Sequence, residues 1–291
     1  MGGCRITPTT SLELIVCGWD EVFILRIDSS RRKASEKVWR WRADEQDDVP
    51  EAVKAQFGRT DECKPVDGGR RILITSSLNG VALVDRASKE ARFLASVENA
   101  HSGDLLPGDR IAVASSLGDA GNRLLVFDLA APEEPIWQDP LPGAHGALWD
   151  GDRRTLWALG HDEIRAYHVE DPCAPTFRPE HVRVFELPDP DGHDLSPVPG
   201  TALLAVTTRD HVWLFDRDAH RFRLHPDLAD ESHVKCVSTH PATGQVAWVR
   251  DEHDHWWGHR IRFAGPAWEL DMADERLYKV RWRTAGFQPA L

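Results

Sequence analysis

The sequence has no uninterrupted apolar run of membrane-spanning length. Its first residues, MGGCRITPTTSLELIVCGW, lack a basic start followed by a long apolar stretch, so no signal peptide is expected and the chain reads as cytoplasmic. Gly2 stands where a myristoylated glycine would, but position 6 is Ile where that signal wants Ser or Thr. Cysteine is sparse. Cys4, Cys17, Cys63, Cys173 and Cys236 are odd in number and show no Cys-x-x-Cys spacing, which argues against a disulfide framework and for reduced thiols. Basic residues are outnumbered, 35 Lys and Arg against 47 Asp and Glu, and the net charge is −12. Without a basic stripe, nucleic acid is a poor partner. No nucleophile elbow, phosphate loop or dinucleotide fingerprint occurs. Methionine is scarce, 2 residues against 12 Trp, which suits a rigid, strand-rich interior.

What is present is a repeat. His101, His145, His193 and His233 each head a short apolar run, at intervals of 44, 48 and 40 residues. A period of about 40–45 residues built from short strands is the signature of a β-propeller. Second strands read RILITSS, RIAVASS, TLWALG, LLAVTT and QVAWVR; third strands read VALVDR, LLVFDL, IRAYHV, VWLFDR and HRIRFA. Weaker fourth strands include EARFLASV, HVRVFEL and HRFRLHP, and four antiparallel strands make a blade. The chain opens with LELIVCGW, VFILRID and KVWRWRA, a blade lacking its first strand. It ends with LYKVRW, a first strand lacking its blade. The expected fold is therefore an all-β, six-bladed propeller in one domain, 1–291, closed by the C-terminal strand joining the N-terminal blade. Its blades fall near 277–283 with 12–43, then 62–97, 99–140, 143–187, 191–226 and 231–270. The polar stretch 44–61 is a loop on the ligand face or a short helix.

Stacking the six first strands gives one column, Glu62, His101, His145, His193, His233 and Leu277. Side chains on a strand alternate faces, so the column two residues on shares the same face: Lys64, Gly103, Ala147, Leu195, Lys235 and Lys279. If that face lines the channel, one half is imidazole-lined and the other cationic. Neutral imidazole is the commonest metal ligand, and a carboxylate completes a mixed shell suited to a divalent metal ion: Mn, Fe, Zn, Ni or Cu. His101, His145, His193 and His233 are the expected ligands, with Glu62 a further ligand or a general base. Lys64, Lys235 and Lys279 repel one another unless an anion lies between them, which points to an anionic small molecule or saccharide. The expected catalytic group is Glu62, His233, Lys64 and Lys235.

A competing reading makes the histidines structural, as in WD-repeat blades, and the protein a binding or scaffold propeller. Against it, these histidines lie six residues before Pro107 and Pro199 and eight before Pro241, inside the strand. The run Asp251–His259 is rich in ligand types but bridges two outer strands, so it is expected to lie far from the channel. Asp28, Asp85, Asp128 and Asp216 close third strands and are expected to anchor turns. Asp104 and Asp194 are placed to orient an imidazole. Cys63 and Cys236 point away from the channel by parity.

The series ECKPVDGG, NAHSGDLLPGDRIAVASS, PGAHGALWD, GHDLSPVPG and HVKCVSTHP resembles an uncharacterised, WD-repeat-like bacterial family of propeller proteins, over about 12–283. That resemblance implies the fold and no reaction. In site style the chain is similar to propeller oligogalacturonate lyases, which hold a divalent metal with inner-strand histidines. It is also similar to carotenoid-cleaving oxygenases, which hold iron with four axial histidines on a propeller of one more blade. Neither motif set is complete here. The lysines favour a lyase-type reaction over a His-ligated iron oxygenase.

Overall fold

The computed structural model describes residues 12–28 and 31–283. Gly2 and Cys4 lie outside the described residues. Six four-stranded antiparallel sheets follow one another as blades. Blade one joins the terminal strand Lys279–Trp282 to Leu12–Gly18, Glu21–Asp28 and Lys33–Trp41. The other five blades take their strands in chain order. Their innermost strands are Thr60–Val66, Ala100–Leu106, Gly146–Asp150, Asp194–Pro197 and Val234–Thr239. Each innermost strand lies against the next around the ring, and the terminal strand completes the circuit.

Closure is the pairing that the two chain ends predict. Leu14 faces Trp282, Val16 faces Val280 and Cys17 faces Lys279. Trp282 is fully buried and donates its indole N–H to the Gln245 carbonyl of blade six, 3.1 Å away.

The apolar core is divided into six parts, one between each pair of neighbouring blades. Leu14, Val16 and Phe23 of blade one pack on Cys236, Val249 and Phe263 of blade six, for example. Alternating strands with one apolar face per neighbour give this pattern directly. The stretch after blade one forms a single helical turn, Glu51–Lys54, flanked by short 3-10 turns. It seats Phe57 edge-on against Trp41. Asp85, Asp128 and Asp216 accept backbone N–H groups two or three residues on and so hold their turns, as expected. Cys17, Cys63 and Cys236 are buried free thiols, and Cys173 is an exposed one. No helix among the described residues is long and apolar enough to cross a membrane.

Candidate functional site

The histidines do not run down the channel wall. They sit at its mouth, because each stands at the start of an innermost strand or just before it, and in three of the six blades a bulge also shifts the parity of that strand. Register slips fall between Thr60 and Glu62, between Ala100 and Ser102, and between Val234 and Cys236. A bulge inserts one residue and turns the following side chains to the other face. Ser102 and Asp104, rather than His101 and Gly103, therefore face the channel in blade three. A Cβ on Gly103 would meet Leu73 of blade two instead.

The channel interior is filled by an ion-pair network that the histidine columns did not reveal. Arg281 of blade one pairs through Nε with Glu62 Oε1 at 2.9 Å and through Nη2 with Oε2 at 2.9 Å. The same guanidinium reaches Asp194 of blade five, at 2.9 Å from Nη1 and 2.5 Å from Nη2. Lys279 lies 3.2 Å from Asp194 and 3.7 Å from Glu62. All four side chains are almost fully buried. Burial alone would push the Glu62 carboxyl up, but Arg281, Lys279 and Lys64 hold it well below the usual carboxylate range. Asp194 is held down in the same way, against its burial, by Arg281 and Lys279.

This corrects several expectations. Glu62 takes two bonds from Arg281, one from the Ser102 hydroxyl at 3.0 Å and one from the Cys63 N–H at 3.1 Å. Its oxygens are committed to the network, so it is placed neither as a metal ligand nor as a general base. Lys64 crosses the channel to donate to the Ala147 carbonyl at 2.6 Å and lies 3.7 Å from Asp104. The mutual repulsion of Lys64, Lys235 and Lys279 is thus answered by the chain's own carboxylates. Lys64 and Lys279 do not form an open anion pocket with Lys235. Asp104 and Asp194 do not orient imidazoles. Each accepts a backbone N–H from the next blade, Trp149 at 2.8 Å and Val237 at 3.1 Å.

Above this plug lie His101, His145 and His193. Their ring centres are 4.3 Å apart for the first pair and 5.5 Å for the second. Burial lowers all three imidazoles: His145 falls to about 4, and His101 and His193 fall well below their ordinary value. They are neutral at physiological pH. His101 Nδ1 lies 3.2 Å from the Asn99 carbonyl, and His145 Nδ1 lies 2.8 Å from that of Gly143. A carbonyl accepts only, so each Nδ1 carries the proton and each Nε2 keeps its lone pair. Neither Nε2 hydrogen-bonds to a described residue; the nearest anion to His101 Nε2 is Asp61, at 3.8 Å.

His193 differs. Its Nε2 lies 3.1 Å from Lys235 Nζ, and its buried Nδ1 has no partner among the described residues. Lys235 also lies 3.3 Å from Asp251. Burial lowers the Lys235 ammonium from its ordinary value, with Asp251 opposing. His233 is set apart from the three. Its backbone is left-handed at φ 61°, its ring is 41 % exposed, and its Nδ1 faces Asp251 at 3.2 Å.

The loop Asp251–His259 lies at this site, not far from it. Strand one of a blade leaves the ligand face and strand two returns to it, so the loop after strand two rejoins the histidines. This loop, with His193, His233, Lys235 and Arg209, lines an open cleft of about 770 Å³. Trp256 packs edge-on against buried Tyr278 at 5.6 Å. Sequence columns also missed Asp61, whose buried carboxyl is pushed up to about 7 by desolvation. Arg281 had a legible signal. It lies two residues beyond Lys279 in an innermost strand, where a buried charge requires partners. Among the described residues, no group of three or more His, Cys, Asp or Glu side chains is placed to hold a metal ion.

No functionally curated protein matches the sequence. A solved structure of hydrazine synthase from Kuenenia stuttgartiensis is similar over 73 % of this chain and 66 % of that one, with a TM-score of 0.53 and 12 % identity. This chain therefore spans just under two thirds of that chain's length, and a likeness at that identity carries the fold alone. The model of a family of unknown function, DUF6528, matches residues 23–287, and the chain belongs to that family.

Proposed function

We propose that the channel mouth is the active site of a metal-dependent enzyme acting on a small anionic molecule or saccharide. The observation that carries this reading is the fixed tautomer of His101 and His145. Two neutral imidazoles side by side present Nε2 lone pairs with no hydrogen-bond partner among the described residues. Two imidazoles sharing one metal at about 2.1 Å per bond have ring centres roughly 4.5–5.5 Å apart. The observed 4.3 Å lies just below that range and 5.5 Å at its upper end. His193, with an unpartnered buried Nδ1, is the third donor once its ring turns from Lys235. This set replaces the expected four histidines and Glu62.

A metal there would polarise a substrate carboxylate or carbonyl. Lys235 is the base this geometry favours, because desolvation eases loss of its proton. Arg209, exposed on the cleft and without an ion-pair partner among the described residues, suits an anionic substrate. The reaction class that uses these parts is β-elimination. Lys235 Nζ takes the proton from the carbon beside the carboxylate, the electron pair forms the C=C bond, and the C–O bond to the leaving group breaks. The departing oxygen takes its proton from solvent.

Protein purified without a histidine tag should carry about one divalent metal per chain by elemental analysis. The His145→Ala/His193→Ala double variant should fold and lose it. Metal-free wild-type protein, with no thermal shift on adding Mn, Fe, Zn, Ni or Cu, would make the histidines structural and end this reading.

A further inference from the structure

A second hollow, of about 370 Å³, opens between blades four and five, away from the residues of the channel mouth. Its floor follows from strand register. Trp157, Ala166 and Arg183 form one row across three strands of blade four, and Thr155, His168 and His181 form the next. Alternation puts both rows on one face. Ala166 offers only a methyl between an indole and a guanidinium, and that leaves the space. Phe185 stacks against His220 of blade five, with ring centres 5.0 Å apart, and forms one end.

The lining is cationic and aromatic, and among the described residues no Asp or Glu side chain contributes to it. Two of its arginines are held from behind. Arg153 pairs with Asp218 at 2.6 Å, and Arg217 pairs with buried Asp150. Arg183 makes no hydrogen bond or ion pair with any described residue, and it stands exposed at the rim. Trp157 lies in the floor and is only 3 % exposed; its indole N–H is buried without an acceptor among the described residues.

We infer that this hollow binds a small organic anion, a phosphate or carboxylate carried on a flat apolar body. The volume suits a small molecule. The Trp157 and Phe185 rings take the body. The Arg183 fork takes the anionic oxygens, with the imidazoles of His168 and His181 beside it. The site is separate from the channel mouth and stands whether or not a metal binds there.

The test uses the full chain with 15N-labelled tryptophan, and Trp157→Phe assigns the Trp157 indole resonance. Phenyl phosphate or benzoate should move that resonance saturably at millimolar concentration or below. Inorganic phosphate and neutral phenol should bind at least tenfold more weakly. The tighter of the two aromatic anions names the anionic group. Arg183→Ala should weaken binding at least tenfold without moving the melting temperature, since the residue is exposed and unpaired. Ala166→Leu should fill the hollow and abolish the shift. No saturable shift with either aromatic anion, an Arg183→Ala response equal to wild type, or inorganic phosphate binding as tightly as phenyl phosphate would each overturn the assignment.

Discussion

Ending the chain at residue 274 should abolish cooperative unfolding. The lost segment contains the innermost strand of blade one, Lys279–Trp282, and with it both cations of the channel plug. Strand Leu12–Gly18 would then present an unpaired edge to solvent. Removing a fully buried Trp costs about 3–5 kcal/mol, and Trp282 is fully buried. Stranding buried carboxylates costs about 3–5 kcal/mol more, and Glu62 and Asp194 would both be stranded. Together these approach the whole stability of an ordinary domain, about 5–15 kcal/mol. Urea unfolding followed by near-UV circular dichroism should show a broad transition or none. Adding a peptide of residues 275–291 should restore a cooperative one. A truncated protein that melts like the full chain would mean that the ring closes some other way.

Arg281→Met should be the most damaging single substitution in the channel. One guanidinium joins blades one, two and five by neutralising Glu62 and Asp194 together. Without it, Lys279 is left as the ion-pair partner of both buried carboxylates, with Lys64 acting on Glu62 from farther away. Breaking a buried pair costs about 3–5 kcal/mol. In a chain of this size that lowers the melting midpoint by about 10 °C. The sign of the pH dependence distinguishes this cause from loss of packing. In the wild type both carboxyls are held below their unfolded values, so their contribution is present above about pH 4.5 and lost as the pH falls through the folded values. In the variant the main force opposing burial is gone, the carboxyls rise, and the native state takes up protons at higher pH than in the wild type. The deficit measured by urea unfolding should therefore be larger at pH 7 than at pH 4. A deficit under 1 kcal/mol, or one that grows on acidification, would show that the network does not hold the blades.

Much of the architecture was legible because a propeller blade is a local object. Its strands and turns lie within one repeat, so composition, alternation and turn residues mark them in order. The ends were legible for the same reason, since LYKVRW lacks a blade and LELIVCGW lacks an inner strand. The channel contents were less legible. Lys64 meets Ala147, and Arg281 meets Asp194, across the ring and far apart in sequence. Strict alternation assigned faces from the histidines, and three bulges broke that alternation near the first turn of pairing. His233 departs for a separate local reason: its backbone is left-handed, and the expected fourth ligand turns to Asp251 in the loop.

By itself, then, the sequence determined six blades, their order and the strand that closes them, because hydrophobic periodicity and turn chemistry are local properties of the chain. It also placed His101, His145 and His193 at one level of the ring, since equal positions in a repeat occupy equal heights. Only the tertiary structure decided which charges pair, which imidazoles keep a free lone pair and that the Asp251–His259 loop folds over the mouth. Those outcomes depend on separations of a few ångströms between blades, and a single inserted residue in a strand is enough to change them.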